Sequence, residues 1–136
     1  MNNNQSSMTK IWVITAILGI LCSCGGNASK TKNLHDYEGT YVGTLPTASG
    51  MGMTVTITLE NGAYIKKTEY VGKDGVFEDK GKYTFNKEGN MIILDGIVDS
   101  PNKYLVHENS LIQLDIEGNR ITGGLADQYV LQKELQ

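Results

Sequence analysis

Few residues in this chain have the chemistry to bind or react. Two cysteines stand in "LCSC" (Cys22 and Cys24), two histidines at His35 and His107, and two methionines, Met51 and Met53, in "LPTASGMGM". Nucleophilic catalysis needs a hydroxyl or thiol activated by a positioned base, and the sequence nominates no such pair around either histidine. No glycine-rich phosphate loop follows a strand and opens a helix, so a nucleotide site has no support. Asp74, Glu88 and Glu117 fall in turn-like segments, where solvation accounts for them. The chain is therefore expected not to be an enzyme. Soft thioethers favour Cu(I), so Met51 and Met53 with His35 or His107 approaching would make a Met₂His copper site. Against it stands a simpler reading: Met53 is the first core residue of a strand, Met51 fills a gap, and His107 is a partly exposed strand histidine.

The cysteines are a different matter. The apolar run Ile11–Leu21 follows Lys10, the only charge before residue 30. It is about half the roughly 20 residues a spanning helix needs, and reads as the core of a secretory signal peptide. It ends in Leu21-Cys22-Ser23-Cys24, which resembles a bacterial lipobox, cleaved before a cysteine whose thiol carries diacylglycerol. Cys24 is the acceptor this pattern selects, because Leu21 is bulky at the position before Cys22. Each buried acyl CH₂ contributes about 0.8 kcal/mol, so several chains on one residue make a durable anchor. Removing the signal leaves Cys24 as the sole cysteine, blocked by lipid, and excludes disulfides, thiolate metal sites and a cysteine nucleophile together. Gly25 follows it where an Asp would favour inner-membrane retention in enteric bacteria, and no acidic cluster comes next. The expected address is the outer membrane, facing the periplasm.

Three segments follow: a signal peptide at 1–23, a small, polar tether at 24–35, and one domain at 36–136. The 136 residues carry a formal charge of −3, and Arg120 is the only arginine. A nucleic-acid partner, which calls for an Arg-rich basic face, is excluded on that basis. Sixteen glycines against two prolines, with many β-branched residues and tyrosines, favour strands joined by tight turns.

Alternation locates the strands. In "MTVTITLE", Met53, Val55, Ile57 and Leu59 share one face and three threonines the other. Asn61-Gly62 then supplies the positive φ angles of a type I′ hairpin. The next strand puts Tyr64 and Tyr70 on one face with Lys66 and Thr68, which suggests a sheet surface whose aromatics reach past polar neighbours. Counting "YVGTL", "VFEDKGKYTF", "MIILDG", "KYLVHE", "LIQLD", "RITGG" and "YVLQKE" gives nine strands. Sequential hairpins at this spacing predict an all-β fold, a small antiparallel meander barrel, lipocalin-like. The expected interior is Tyr41, Val55, Ile57, Leu59, Ile93, Leu94, Leu105, Leu111, Leu114, Ile121 and Leu131. A cavity in such a barrel would suit a lipid or small hydrophobic ligand, which is the alternative to a sensor or interaction module.

Three stretches, "EGTYVGTLP", "GMTVTITLENGAYIKKTEYVGKDGVFEDKGKYTF" and "LIQLDIEGNRITGGLADQYVLQK", together resemble the NlpE-type lipoprotein family. The resemblance implies a lipid-anchored, non-catalytic barrel associated with copper homeostasis, surface adhesion or envelope stress, with an envelope protein as partner. Many members carry a second domain; this sequence is expected to hold the first alone. Members typically read Leu-Pro-Cys-Ala-x-Cys-x-Gly after the first strand. Here Thr47 and Gly50 stand at the two cysteine positions, so copper binding by that route is not expected.

Overall fold

The computed structural model describes residues 34–135. The lipobox, Cys24, nearly all of the tether and the His35 side chain lie outside that description. A 3-10 turn at Leu34–Tyr37 leads into eight strands: β1 (Gly39–Leu45), β2 (Met53–Glu60), β3 (Ala63–Tyr70), β4 (Val76–Phe85), β5 (Met91–Leu94), β6 (Lys103–His107), β7 (Ser110–Gln113) and β8 (Val130–Lys133). Each pairs antiparallel with the next, and β8 returns to β1 through Tyr41↔Lys133 and Val42↔Gln132, closing the barrel.

Local chemistry sets the hairpins. Asn61 (φ 49°) and Gly62 (φ 77°) make the turn between β2 and β3, where β2 and β3 stay paired from Met53↔Tyr70 to Glu60↔Ala63. At 86–90 the Asn86 side-chain oxygen accepts the backbone N–H groups of Asn90 and Met91, tying the β4–β5 turn. Closure itself rests on Gly43. A Cβ there would lie 2.5 Å from the Val130 carbonyl oxygen and 3.1 Å from Leu131 Cα, so only glycine lets β1 and β8 approach this closely.

The segment "RITGG" is not a ninth strand. Arg120 makes a single bridge to Leu114, and Gly123 (φ 103°) then turns the chain into a 3-10 turn at Ala126–Gln128. The β7 edge is already occupied by β8 from Ser110 to Ile112, leaving nothing for a further strand to pair with.

Core parity also differs from the sequence reading in two strands. In β5 the inward residues are Ile92 and Leu94, and Ile93 is half-buried on the outer face. In β6 they are Tyr104 and Val106, and Leu105 faces outward. Both strands have apolar side chains on each face, so their own alternation does not choose. Pairing does: Tyr83↔Leu94, Phe85↔Ile92 and Ile92↔Tyr104 line up one inner face. Outside, Met91, Leu105, Ile112 and Val130 form a half-buried row across paired strands. Ile121 is likewise half-buried in the β7–β8 connection, while Tyr41, Val55, Ile57, Leu59, Leu94, Leu111, Leu114 and Leu131 are buried as expected. Leu45, Tyr64 and Tyr83 complete the filling, each large apolar side chain contributing about 1.5–3 kcal/mol.

Candidate functional site

An up-and-down barrel sends alternate connections to opposite ends. The β1–β2, β3–β4, β5–β6 and β7–β8 connections share one end, and the chain enters β1 and leaves β8 at the other. That topology separates the residues with metal-binding chemistry. Met51 lies in the β1–β2 loop and Met53 opens β2, whereas His107 closes β6 at the opposite end. His107 therefore cannot join the methionines in one site. Met51 is 61% exposed and packs its methyl group over Gly72; Met53 leans on the core. Among the described residues no three His, Cys, Asp or Glu side chains converge as metal ligands.

The stretch 45–53 is a stapled turn. The Gly50 N–H donates to the Thr47 carbonyl at 2.9 Å, and the Gly52 N–H donates to the Thr47 hydroxyl at 3.1 Å. That hydroxyl also shares a 3.0 Å hydrogen bond with Ser49. Gly50 and Gly52 both take positive φ (79° and 82°), which explains glycine at these positions without any ligand. Thr47 thus serves the backbone.

The entry end is plugged. Tyr41 is buried, its hydroxyl donates to the Tyr37 carbonyl at 2.8 Å, and the Lys133 ammonium lies 5.7 Å above its ring. Tyr37 and Tyr83 pack against Phe85 with ring centroids at 5.3 and 5.9 Å. Burial, reinforced by the neighbouring Tyr83 and Tyr37 phenols, pushes the Tyr41 hydroxyl up to about 12. A shallow depression of about 570 Å³ lies outside this plug, between the chain entry at Glu38 and the exit at Leu135.

The loop end is open. β4 runs ten residues but pairs with β5 only through Tyr83, Thr84 and Phe85, so the outer halves of β3 and β4 project past the four-residue β5. Their inward face carries Lys66, Thr68 and Tyr70 opposite Asp79 and Phe77. The tyrosine-and-lysine face read from the sequence as a sheet surface is thus the inner face. With Met53, Ser100, Pro101 and Gln113 it encloses a cavity of about 300 Å³. Below lie Tyr64, whose ring covers Gly81 and whose hydroxyl donates to the Asp95 carbonyl at 2.8 Å, and the fully buried Tyr104.

Three polar side chains of this cavity are nearly buried, Lys66 at 6% exposure, Thr68 at 8% and Gln113 at 4%. The Lys66 ammonium donates to the Pro101 carbonyl at 3.4 Å, a long hydrogen bond. Burial pulls the Lys66 ammonium down from the ordinary lysine range, and the Asp79 carboxylate on the facing strand opposes that shift. Sequence reasoning placed Lys66 on the right face of β3 yet did not single it out. Its signal was a lysine at an inward parity position, between Tyr64 and Thr68.

The interior beneath the cavity is occupied by side chains. Three cavities lie at the barrel ends, and a fourth lies beside Ile112, Arg120 and Val130, on the flank under the β7–β8 connection. None of these four is an enclosed apolar chamber for a lipid chain. Most exposed large apolar side chains gather around the open end instead, on the loops and strand ends there: Met51, Tyr70, Val71, Val76, Phe77 and Val98.

No curated protein matches the sequence. The crystal structure of a "putative lipoprotein" from Shewanella oneidensis is similar, with a TM-score of 0.66 and 45% sequence identity, over 74% of this chain and 92% of that one. The NlpE N-terminal domain matches residues 41–124, from the plugging Tyr41 through the inner strands to the double-glycine turn. The chain belongs to the NlpE family.

Proposed function

We propose that this protein is a non-enzymatic envelope lipoprotein, held by lipid on Cys24 to the outer membrane on its periplasmic side. It works as a sensor or interaction module of the envelope-stress type through the open end of its barrel. The observation that carries this reading is the ring of exposed apolar residues on the loops opposite the chain entry, with Phe77 62% and Val98 78% exposed. Solvent-facing apolar side chains gathered in one place mark an interaction surface. A direct copper role is the weaker reading: the family cysteine positions hold Thr47 and Gly50, and His107 sits at the far end from Met51 and Met53.

Two experiments test the two halves. Cells fed an alkyne fatty acid should label the wild-type chain and leave a Cys24→Ala variant unlabelled and soluble. An unlabelled wild type would overturn the anchor. A photo-crosslinking residue placed at 77 or 98 should give a discrete adduct in cells, and one at Lys87, in a turn at the entry end, should not. Identical patterns from both ends would remove the open end as the working surface.

A further inference from the structure

The cavity between the projecting β3–β4 hairpin and the 98–101 loop holds a charge that the protein itself does not satisfy. The Lys66 ammonium has three N–H donors and one protein acceptor, the Pro101 carbonyl at 3.4 Å. A lysine buried to this extent is costly unless its charge meets an anion. Asp79 is its cross-strand neighbour, but it is an exposed, hydrated carboxylate whose influence is electrostatic and not a hydrogen bond. A further unpaired polar group lies deeper in the barrel, outside the lining of the cavity. Tyr104 lies across β6 and β7 from Gln113 on the inner face, and its buried hydroxyl has no hydrogen-bond partner.

The walls divide by chemistry. Lys66, Thr68, Gln113 and Ser100 offer polar groups, while Met53, Tyr70 and Phe77 offer apolar surface. Tyr70 and Phe77 meet edge to face at 5.8 Å, a preassembled aromatic wall at the rim. About 300 Å³ is the lower limit of cavities that take small organic ligands.

We propose that this cavity binds a small amphipathic carboxylic acid, its carboxylate on Lys66 and its apolar body against Met53, Tyr70 and Phe77. The single Lys66 ammonium matches one negative charge, and the Asp79 carboxylate on the facing strand repels an incoming anion in proportion to its charge, so a monoanion is favoured over a dianionic phosphate. The site asks for a free small molecule, since the polar groups lie inside the mouth and the apolar wall at its rim.

Calorimetric titration of the full chain in lipid nanodiscs, with empty nanodiscs as the blank, tests this with 3-phenylpropionate and its uncharged amide as probes. The acid should bind saturably, at least tenfold more tightly than the amide. Lys66→Met should lose at least tenfold for the acid and little for the amide, and Lys66→Arg should retain most of the binding. Phe77→Ala, an exposed position whose change leaves the core intact, should weaken both probes severalfold. Equal binding of acid and amide, or unchanged acid binding in Lys66→Met or in Phe77→Ala, would overturn the proposal. Incorporation into the nanodiscs reports the Cys24 anchor and the titration reports the cavity, so a chain that incorporates but does not bind overturns this proposal and leaves the anchored-module reading standing.

Discussion

The two ends of this barrel solve opposite problems with the same residue type. At the entry end tyrosines close the structure: Tyr41 hydrogen-bonds to Tyr37, and Tyr37 and Tyr83 pack on Phe85. At the loop end Tyr70 stands at the rim of an open, polar cavity whose inner wall holds a nearly buried lysine. The difference follows from strand length. Where neighbouring strands end together, side chains from all of them converge and fill the space. Where β3 and β4 overshoot β5, their inward face has no partner strand, and polar residues with access to water become tolerable. Aromatic packing closes one end, while the other keeps a poorly paired buried charge, as in many proteins that trade local stability for binding.

Substitutions at the two ends should therefore act with opposite sign. Tyr41→Ala removes a buried ring and its hydrogen bond, and should cost about 3–5 kcal/mol in denaturant unfolding. Gly43→Ala attacks the β1–β8 seam, where backbone atoms and not flexible side chains meet the new methyl group, and should cost about 2–3 kcal/mol. A loss under 0.5 kcal/mol from either would show that the seam and plug do not hold the barrel closed. Lys66→Met at the open end should instead stabilise, by about 1 kcal/mol, because it replaces a poorly paired buried charge with an isosteric apolar chain. Destabilisation by this variant would mean that Lys66 supports the fold and is not held in reserve for a ligand.

Alkaline pH probes both ends at once. Burial pushes the Tyr41 hydroxyl from its ordinary value of 10.0 up to about 12 in the folded state, and raises the Tyr64, Tyr83 and Tyr104 hydroxyls too. Their contribution is complete below pH 10 and is lost as pH rises through the folded values. Lys66 runs the other way: its folded value is lowered, so its penalty is relieved as pH rises toward 10.5. Unfolding followed by circular dichroism should show stability falling above pH 10, with four phenols outweighing one lysine. In Lys66→Met the relief just below pH 10.5 should disappear. The smallest effect is expected in the β7–β8 connection, where the Asp115 carboxylate accepts the N–H groups of Gly118 at 2.8 Å and Asn119 at 2.7 Å. The Asn119 backbone bond leads in holding this carboxyl below its ordinary range, so its contribution is present near neutrality and is lost in acid. Asp115→Ala should lower the thermal midpoint slightly at pH 7 and leave it unchanged at pH 2.

Asp115 also shows how motif and role part company. The pattern Leu114-Asp115-x-x-Gly118-x-x-Ile121 is one of those that resemble the NlpE family, and in space it is a turn, with Gly118 at φ 96° against Lys103 and Met91. "GTYVG" is equally structural, supplying the plug at Tyr41 and the seam at Gly43. In each case the sequence pattern was legible, while the physical demand behind it came from residues far along the chain.

What the sequence determined by itself was local: the alternation of β2 and the Asn61-Gly62 turn. These depend on φ preferences, period-two patterning and short spacing, all contained within a few residues. Only the tertiary structure decided which faces of β5 and β6 turn inward, why "RITGG" forms no strand, and that Lys66 enters the barrel mouth. The reason is physical. A strand with apolar residues on both faces has no intrinsic inside, and its orientation is fixed by the register of its neighbours. A lysine between a tyrosine and a threonine becomes buried only because β5 ends before β3 and β4 do.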